Sequence, residues 1–453
     1  MDNIFSLTDL ILAPVFFVVF FIIAREITSQ KIENEPYYKY FVSGLFVKLL
    51  GGIGVCLIYV YYYSGGDTVA YYLDNSVVVR LFLKDPSSAF TYMFSKMDAQ
   101  MYSHFDTNTG WLIFGTQDHA SYVTKVTWLL SLISFNSFIG QTMLLAFLSY
   151  LTTWRLYKVF VNEFPDLQKG MAFAFLFIPS VVFWGSGLLK DTITLAGVSL
   201  FTSSFYRIIK LKRGYFINSI LMLIGSWLMI KIKPYIFFAL LPGTMIWFAA
   251  YQMEKFRNQV VRSALTPAFL GIAVFLGFLF LQNMGDSLGD YAFDKVLDKA
   301  VITQQDLKRD AYQAATFDIG EFEPTIPGIL SKAPVAIVAA LFRPFLWESY
   351  SPSMIVSGLE NFILLIFTIY LLARLRIINF FRLLRKNHLL LFSVSFSIFF
   401  AFSVGLTSSN FGSLVRYKIP AIPFFVASLL IANYYYQQKK EEGRRKEQEM
   451  FLK

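Results

Sequence analysis

Apolar residues along this chain gather into long runs separated by short polar segments, and the length of the runs decides the class of protein. A helix that crosses the hydrocarbon core of a bilayer needs about 20 mostly apolar residues. Runs of that kind fall at 8–25, 41–62, 136–154, 170–188, 192–209, 215–230, 235–251, 264–283, 354–373, 389–406 and 419–436. They predict an all-α, polytopic bundle of eleven spans, with residues 1–453 forming a single integral-membrane domain. The fifth run opens directly after Asp191, and the sixth is interrupted by Gly225 and Ser226. The first run does not read as a signal peptide. Met1–Asp9 carries Asp2 and Asp9 but no basic residue, and no small-residue cleavage site follows.

Two connections are long, 64–135 and 284–353, and both are expected to carry amphipathic helices. In the first, Ser87–Met97 follows an Asp85-Pro86 break, Asp98–Ser103 comes next, and Ser121–Phe135 is apolar but short. A stretch of that kind suits the membrane interface better than a crossing. In the second, Asp294–Ala315 is rich in charge and helix formers, and Glu321–Gly328 is broken by Pro324 and Pro327. No internal repeat is evident, which counts against an inverted-repeat transporter.

Basic residues set the expected orientation. One alternating set of loops, all short, holds 24 Lys and Arg, including the tail at 437–453. The other set holds 15, and ten of these fall in the two long connections, where the positive-inside bias has little force. The expectation is an N-terminus outside, a charged tail in the cytoplasm and both long connections extracytoplasmic. Short basic cytoplasmic loops leave little room for a nucleotide-binding domain, and neither a Walker loop nor a Gly-rich dinucleotide fingerprint is present.

Composition supports the same class. Hydrophobic residues make up 56% of the 453 positions and charged residues only 15%, with a mean hydropathy of +0.53; a soluble chain of this length needs more charge to cover its surface. The formal charge of +10 does not point to nucleic acid, because the basic residues lie in short loops and form no basic domain. A single cysteine, Cys56, sits in an apolar run, which excludes a disulfide framework and a cysteine metal site.

Five polar clusters lie at span ends on the expected outer side, where ionisable groups are costly to hold. Ser64-Gly65-Gly66-Asp67-Thr68, followed by Tyr71 and Tyr72, places Asp67 after a flexible glycine pair. Asp67 reads either as a general base or metal ligand, or as the cap of the next helix. Pro179-Ser180 and Phe183-Trp184-Gly185-Ser186-Gly187 lead to Lys190-Asp191. There Lys190 reads as a phosphate ligand, or the two form a local ion pair with Asp191 as a cap. Lys231 and Lys233, before Pro234, call for a compensating anion, either a substrate or lipid headgroups. Arg343-Pro344-Phe345-Leu346-Trp347-Glu348 follows the apolar run Pro334–Leu341. Arg343 reads as a phosphate ligand or as an interfacial anchor paired with Glu348. In Asn410-Phe411-Gly412-Ser413 and Arg416-Tyr417-Lys418, before Pro420 and Pro423, two cations open a helix where the dipole disfavours them. Arg416 is expected to hold a phosphate or to snorkel to the interface.

Histidines are scarce. His104 with Asp106, and Asp118 with His119, are the only metal-like pairs, and their spacing matches no zinc signature. No Gly-x-Ser-x-Gly elbow appears.

The ordered series Tyr63-Ser64-Gly65-Gly66-Asp67-Thr68, Pro179-Ser180…Phe183-Trp184…Lys190-Asp191, Arg343-Pro344-Phe345…Glu348 and Asn410-Phe411-Gly412…Arg416-Tyr417-Lys418-Ile419-Pro420 resembles the integral-membrane glycosyltransferases of the type-C fold and related exopolysaccharide polymerases of bacterial envelope clusters. The resemblance runs over most of the chain as short motifs. It implies sugar transfer from a polyprenyl-phosphate or polyprenyl-diphosphate donor to a saccharide or lipid acceptor, at the outer face of the bacterial cytoplasmic membrane. It implies Asp67 as the catalytic acid residue near the reaction centre. Arg343 and Arg416 are the implied carrier-phosphate ligands, with Lys190 and Lys233 in support and Asp191, Glu348, Tyr417 and Lys418 beside them. The chain departs from many members in having Gly66 where a second acidic residue stands and in lacking a large soluble C-terminal domain; a divalent metal is therefore left open. A transporter or lipid flippase, which needs ionisable groups at mid-bilayer depth such as Lys48 and Glu360, and a non-catalytic subunit of an export machine are the rival readings.

Overall fold

A computed structural model describes residues 4–253, 316–320, 323, 325–408 and 410–451. The expected span at 264–283 and the expected charged helix at 294–315 lie outside these residues. Among the described residues every regular element is helical, apart from one isolated antiparallel bridge between Thr316 and Asn410.

In chain order the α-helices are α1 (Leu7–Lys31), α2 (Phe41–Leu57), α3 (Asp67–Lys84), α4 (Pro86–Phe94), α5 (Ala99–Tyr102), α6 (Asp118–Ile133), α7 (Phe138–Glu163), α8 (Gln168–Ala172), α9 (Pro179–Trp184), α10 (Lys190–Tyr206), α11 (Tyr215–Ile232) and α12 (Pro234–Met253). Beyond residue 325 follow α13 (Ile326–Ser331), α14 (Ala333–Phe342), α15 (Pro352–Leu375), α16 (Ile377–Leu384), α17 (His388–Thr407), α18 (Phe411–Tyr417) and α19 (Ile422–Phe451). Among the described residues seven helical stretches are long and apolar enough to cross a membrane: Leu7–Lys31, Pro36–Tyr62, Lys190–Leu211, Tyr215–Ile232, Pro234–Met253, Met354–Leu375 and His388–Thr407. The number rises to nine if each of two bent pairs is one span: α6 with α7, bent by 113°, and α18 with the following Ile422–Met450, bent by 66°.

Of the eleven expected spans, 264–283 lies outside the described residues, and the one at 170–188 does not form a continuous helix. Its residues form α8, a π-helical turn and the short α9, with extended backbone at Ile178. Pro179 opens α9, and the residue before a proline is pushed out of the helical region. Hydropathy alone does not register that break.

The chain divides into two compact units. Unit 1 comprises Met1–Val159 and Phe175–Lys233; unit 2 comprises Phe160–Ala174 and Pro234–Lys453. In unit 1, Asp9 is 2% exposed and ties two helix starts together. Its Oδ2 accepts from the Ser6 backbone N–H at 2.9 Å and the Ser6 hydroxyl at 2.8 Å, while Oδ1 accepts from the Ser137 hydroxyl and the Ile139 N–H, both at 2.7 Å. A carboxylate buried this deeply needs all four donors. At the other end of α7, Arg155 donates through Nε to the Ser203 hydroxyl at 2.9 Å and also to Asn218. It thereby binds α7 to both arms of the α10–α11 hairpin.

That hairpin sets the geometry of the site. Gly197 and Gly225 face each other where its arms cross; a Cβ added to Gly225 would stand 2.7 Å from the Gly197 carbonyl oxygen. The small-residue crossing lets the two backbones touch. Because the helices run in opposite directions, the start of α10 and the end of α11 share one end of the unit.

Unit 2 packs around phenylalanine. Trp247 on α12 lies 4.8 Å from Phe392 on α17, and Phe424 on α19 lies 5.1 Å from Phe396 and 5.7 Å from Phe392. Phe160 lies 5.9 Å from Phe424. Tilted rings at these spacings suit the quadrupole of the aromatic face.

Candidate functional site

The expected site residues fall into two sets, one in each unit. In unit 1, Ser64, Gly65 and Gly66 carry φ of 53°, 136° and 108°. A chain of L-residues rarely adopts such values, and at Gly66 a Cβ would also stand 3.0 Å from the Tyr59 ring. The turn delivers Asp67 to the first position of α3, with Gly66 as the N-cap. Asp67 is therefore a first-turn residue rather than the cap itself, and it is half-buried.

Tyr59 lies 6.4 Å from Trp184, the last residue of α9. From Trp184 the chain turns through Gly185–Leu189 into α10, where Thr192 donates back to the Gly187 carbonyl at 2.6 Å. Lys190 opens α10 and Asp191 stands in its first turn, fully buried. The Asp191 carboxylate also draws a partner from outside its own helix. Lys233, 42 positions away at the end of α11, places its Nζ 2.5 Å from Asp191 Oδ1. Both side chains are buried, so each removes the cost of the other's charge.

One apolar cluster underlies all of this. Tyr71 of α3, Ala120 and Val123 of α6, Leu145 of α7, Leu188 and Ile193 around the start of α10, and Leu228 and Ile232 of α11 pack together. Asp67 lies one turn before Tyr71, Lys190 and Asp191 lie between Leu188 and Ile193, and Lys233 follows Ile232. Three of the five sequence clusters therefore meet at one end of unit 1. His119 joins them, its Nδ1 lying 2.9 Å from the Lys231 carbonyl oxygen.

Unit 2 holds the rest. Arg343, the residue after α14, directs its Nε to both Glu348 oxygens at 3.1 Å and its Nη2 to Oε1 at 2.5 Å. The guanidinium also lies over Phe317 at 4.7 Å and Phe411 at 5.3 Å, and those rings stack on each other at 5.1 Å. The expected Arg343–Glu348 pair is present. The Glu348 carboxylate also accepts from the Phe345 N–H at 2.9 Å. Arg416 and Tyr417 close α18 and are half-buried. Lys418 sits in the bend before α19, 2% exposed, and donates to Asn361 Oδ1; Asn361 Nδ2 donates onward to the Pro344 carbonyl at 3.1 Å. Glu360 lies within electrostatic reach of Lys418.

Asn361 was not among the expected site residues. Its signal is an amide directly after Glu360 in an otherwise apolar run. Asp74 was also missed. It is 1% exposed and accepts from the Ile113 and Phe114 N–H groups at 2.6 and 3.0 Å, which pins the connection before α6. Burial pushes its carboxyl up to about 6, against the pull of those two donors.

The metal-like pairs separate. His104 Nδ1 lies 2.8 Å from the Ser88 hydroxyl, whereas Asp106 pairs with Lys84 at 2.9 Å. The Lys84 ammonium and the Thr109 N–H hold the Asp106 carboxyl down at about 2. Among the described residues no group of three or more His, Cys, Asp or Glu is placed to hold a metal ion.

Compared with protein-family models, curated proteins and solved structures, the chain gives no match. What the fold and its contacts define is a helical membrane protein with buried charge at the helix ends.

Proposed function

We propose that this chain is a membrane glycosyltransferase. It transfers a sugar or glycan from a polyprenyl-(di)phosphate carrier to a saccharide or lipid acceptor at the outer face of the bacterial cytoplasmic membrane, in envelope polysaccharide or glycoconjugate synthesis. The meeting of the Asp67 turn with Lys190, Asp191 and Lys233 around one apolar cluster supports this reading. Asp67 takes the proton of the acceptor hydroxyl as the acceptor oxygen bonds to the anomeric carbon. The bond from that carbon to the carrier phosphate oxygen breaks, and its electron pair leaves with the phosphate. Cations placed where that charge develops lower the barrier most, the role assigned to Lys190. Lys233, held by Asp191, fixes the start of α10.

Asp67→Asn and Lys190→Ala are expected to abolish transfer while leaving the amount of protein in the membrane unchanged. A deletion strain is expected to accumulate the unused lipid-linked donor. Normal polymer in both variants would refute the catalytic reading.

One observation favours a transporter instead. Lys48 on α2, within the candidate span Pro36–Tyr62, is 5% exposed, and its Nζ lies 3.1 Å from where a Cβ on Gly185 would stand. An ionisable group inside a span is a mark of transport pathways. Lys48→Met separates the two readings: a transporter loses activity, whereas the transferase retains it.

A further inference from the structure

Two lysines outside the proposed transfer residues share one aromatic ring. Lys125 on α6 has its Nζ 4.7 Å from the centre of the Tyr122 ring, and Lys231 in the last turn of α11 has its Nζ 5.3 Å from the same centre. Both ammonium groups thus lie within 5.3 Å of a single ring centre, close enough to repel each other.

Neither lysine forms an ion pair among the described residues. Lys125 is 4% exposed, and its one hydrogen bond runs to the Ser95 carbonyl oxygen at 2.6 Å. A second ring, Tyr92, lies 5.3 Å from the same nitrogen, and the buried Tyr92 hydroxyl has no hydrogen-bond partner. Lys231 is half-buried, with its ammonium against the Tyr122 ring. Among the described residues the carboxylate within electrostatic reach of Lys125 is Asp118, exposed at the start of α6. Asp191, a second acid at this end, is met by Lys233. Cation–π contacts hold the two ammonium groups in place, but they cancel no charge.

We infer that Lys125, Lys231 and Tyr122 form a binding site for a phosphate group. A phosphate presents two or more charged oxygens to two ammonium groups at once and removes their mutual repulsion. Position favours a lipid headgroup as its source: Lys231 ends the candidate span Tyr215–Ile232. Trp227, one turn earlier, is 42% exposed and lies 6.0 Å edge-on to Tyr122, an arrangement typical of the headgroup level. This inference stands apart from the transfer reading, because neither lysine has a part in that reaction.

The test is thermal unfolding of the purified full-length protein, followed by tryptophan fluorescence in two arms. One arm adds inorganic phosphate in neutral detergent. The other compares nanodiscs of phosphatidylcholine alone with nanodiscs containing phosphatidylglycerol. Phosphatidylglycerol is expected to raise the midpoint for the wild type, and Lys231→Gln to cut that rise to about half or less by weakening ligand linkage. A rise with inorganic phosphate as well would show that a free anion is accepted at the same site. Lys125→Gln, at a buried position, is expected to remove the rise, and the half-buried Lys231 decides the matter if that variant fails to fold. Asp67→Asn is expected to respond like the wild type, so this result and the loss of transfer are read separately. No rise in either arm, or the same rise in Lys231→Gln, would overturn the inference.

Discussion

Replacing Lys233 by methionine takes an ammonium away from the buried Asp191 carboxylate, and the cost follows from the contact. At 2.5 Å, two unit charges attract by about 7 kcal/mol if the effective dielectric constant is about 20. Desolvating the two ions costs several kcal/mol each, which cancels most of that gain. The pair is therefore close to neutral as a whole, yet each half is expensive alone. Lys233→Met and Asp191→Asn are each expected to lower unfolding free energy by about 3–5 kcal/mol. The double variant, which buries no unpaired charge, is expected to recover much of that loss. Titration with a denaturing detergent, read by size-exclusion chromatography and far-UV circular dichroism, measures all three against the wild type. Losses that simply add in the double variant would show that the two side chains do not depend on each other. Unchanged single variants would show that the site is not dry.

Two further perturbations follow from other contacts. Arg343→Lys keeps the charge but gives up the two-pronged contact with Glu348 and the stacking on Phe317 and Phe411. It is expected to lower stability by about 1–3 kcal/mol, measured by the same titration, and unchanged stability would mean that these contacts do not organise the segment. Asp74 titrates at about 6 in the fold, above the usual aspartate value near 3.9. The fold thus binds the proton more tightly than the unfolded chain, so its contribution is full below pH ~4 and is lost as pH rises through ~6, a span worth about 3 kcal/mol. Asp74→Asn is expected to flatten that part of the stability–pH curve, and an unchanged slope would refute the assignment.

Much of the bundle was legible in the sequence because a bilayer imposes a single length scale on apolar runs. The runs at 8–25, 41–62, 192–209, 215–230, 235–251, 354–373 and 389–406 each match a helix long enough to cross. Runs next to prolines were harder to read. At 170–188 the Ile178-Pro179 step breaks the helix, and Pro420 falls in the bend between α18 and α19. Hydropathy averages over such points, whereas backbone geometry does not. In the first long connection, Asp98 caps α5 by accepting from the Met101 N–H, and Ser121–Phe135 falls largely within α6. Both follow from local patterns of caps and apolar spacing.

Partner choice among the charged residues was the part that local pattern could not supply. Asp191 is met by Lys233 across the hairpin, a partner 42 positions away that no local pattern announces. Lys231 and Lys233 look equivalent in sequence. An intervening Ile232, buried in the apolar cluster, separates their directions, so one meets Asp191 and the other Tyr122. Arg343 and Glu348 were legible as a pair because only a short turn separates them. Asn361 was not, since it links Lys418 to the Pro344 carbonyl from a different helix. In a membrane-embedded bundle each charge must be cancelled by a partner or a ligand, so the value of the fold lies in sorting them. Lys233 and Arg343 are held by Asp191 and Glu348. Among the described residues Lys125 and Lys231 meet rings but form no ion pair with a carboxylate, which is why they, rather than the more conspicuous Lys233, point to a bound anion.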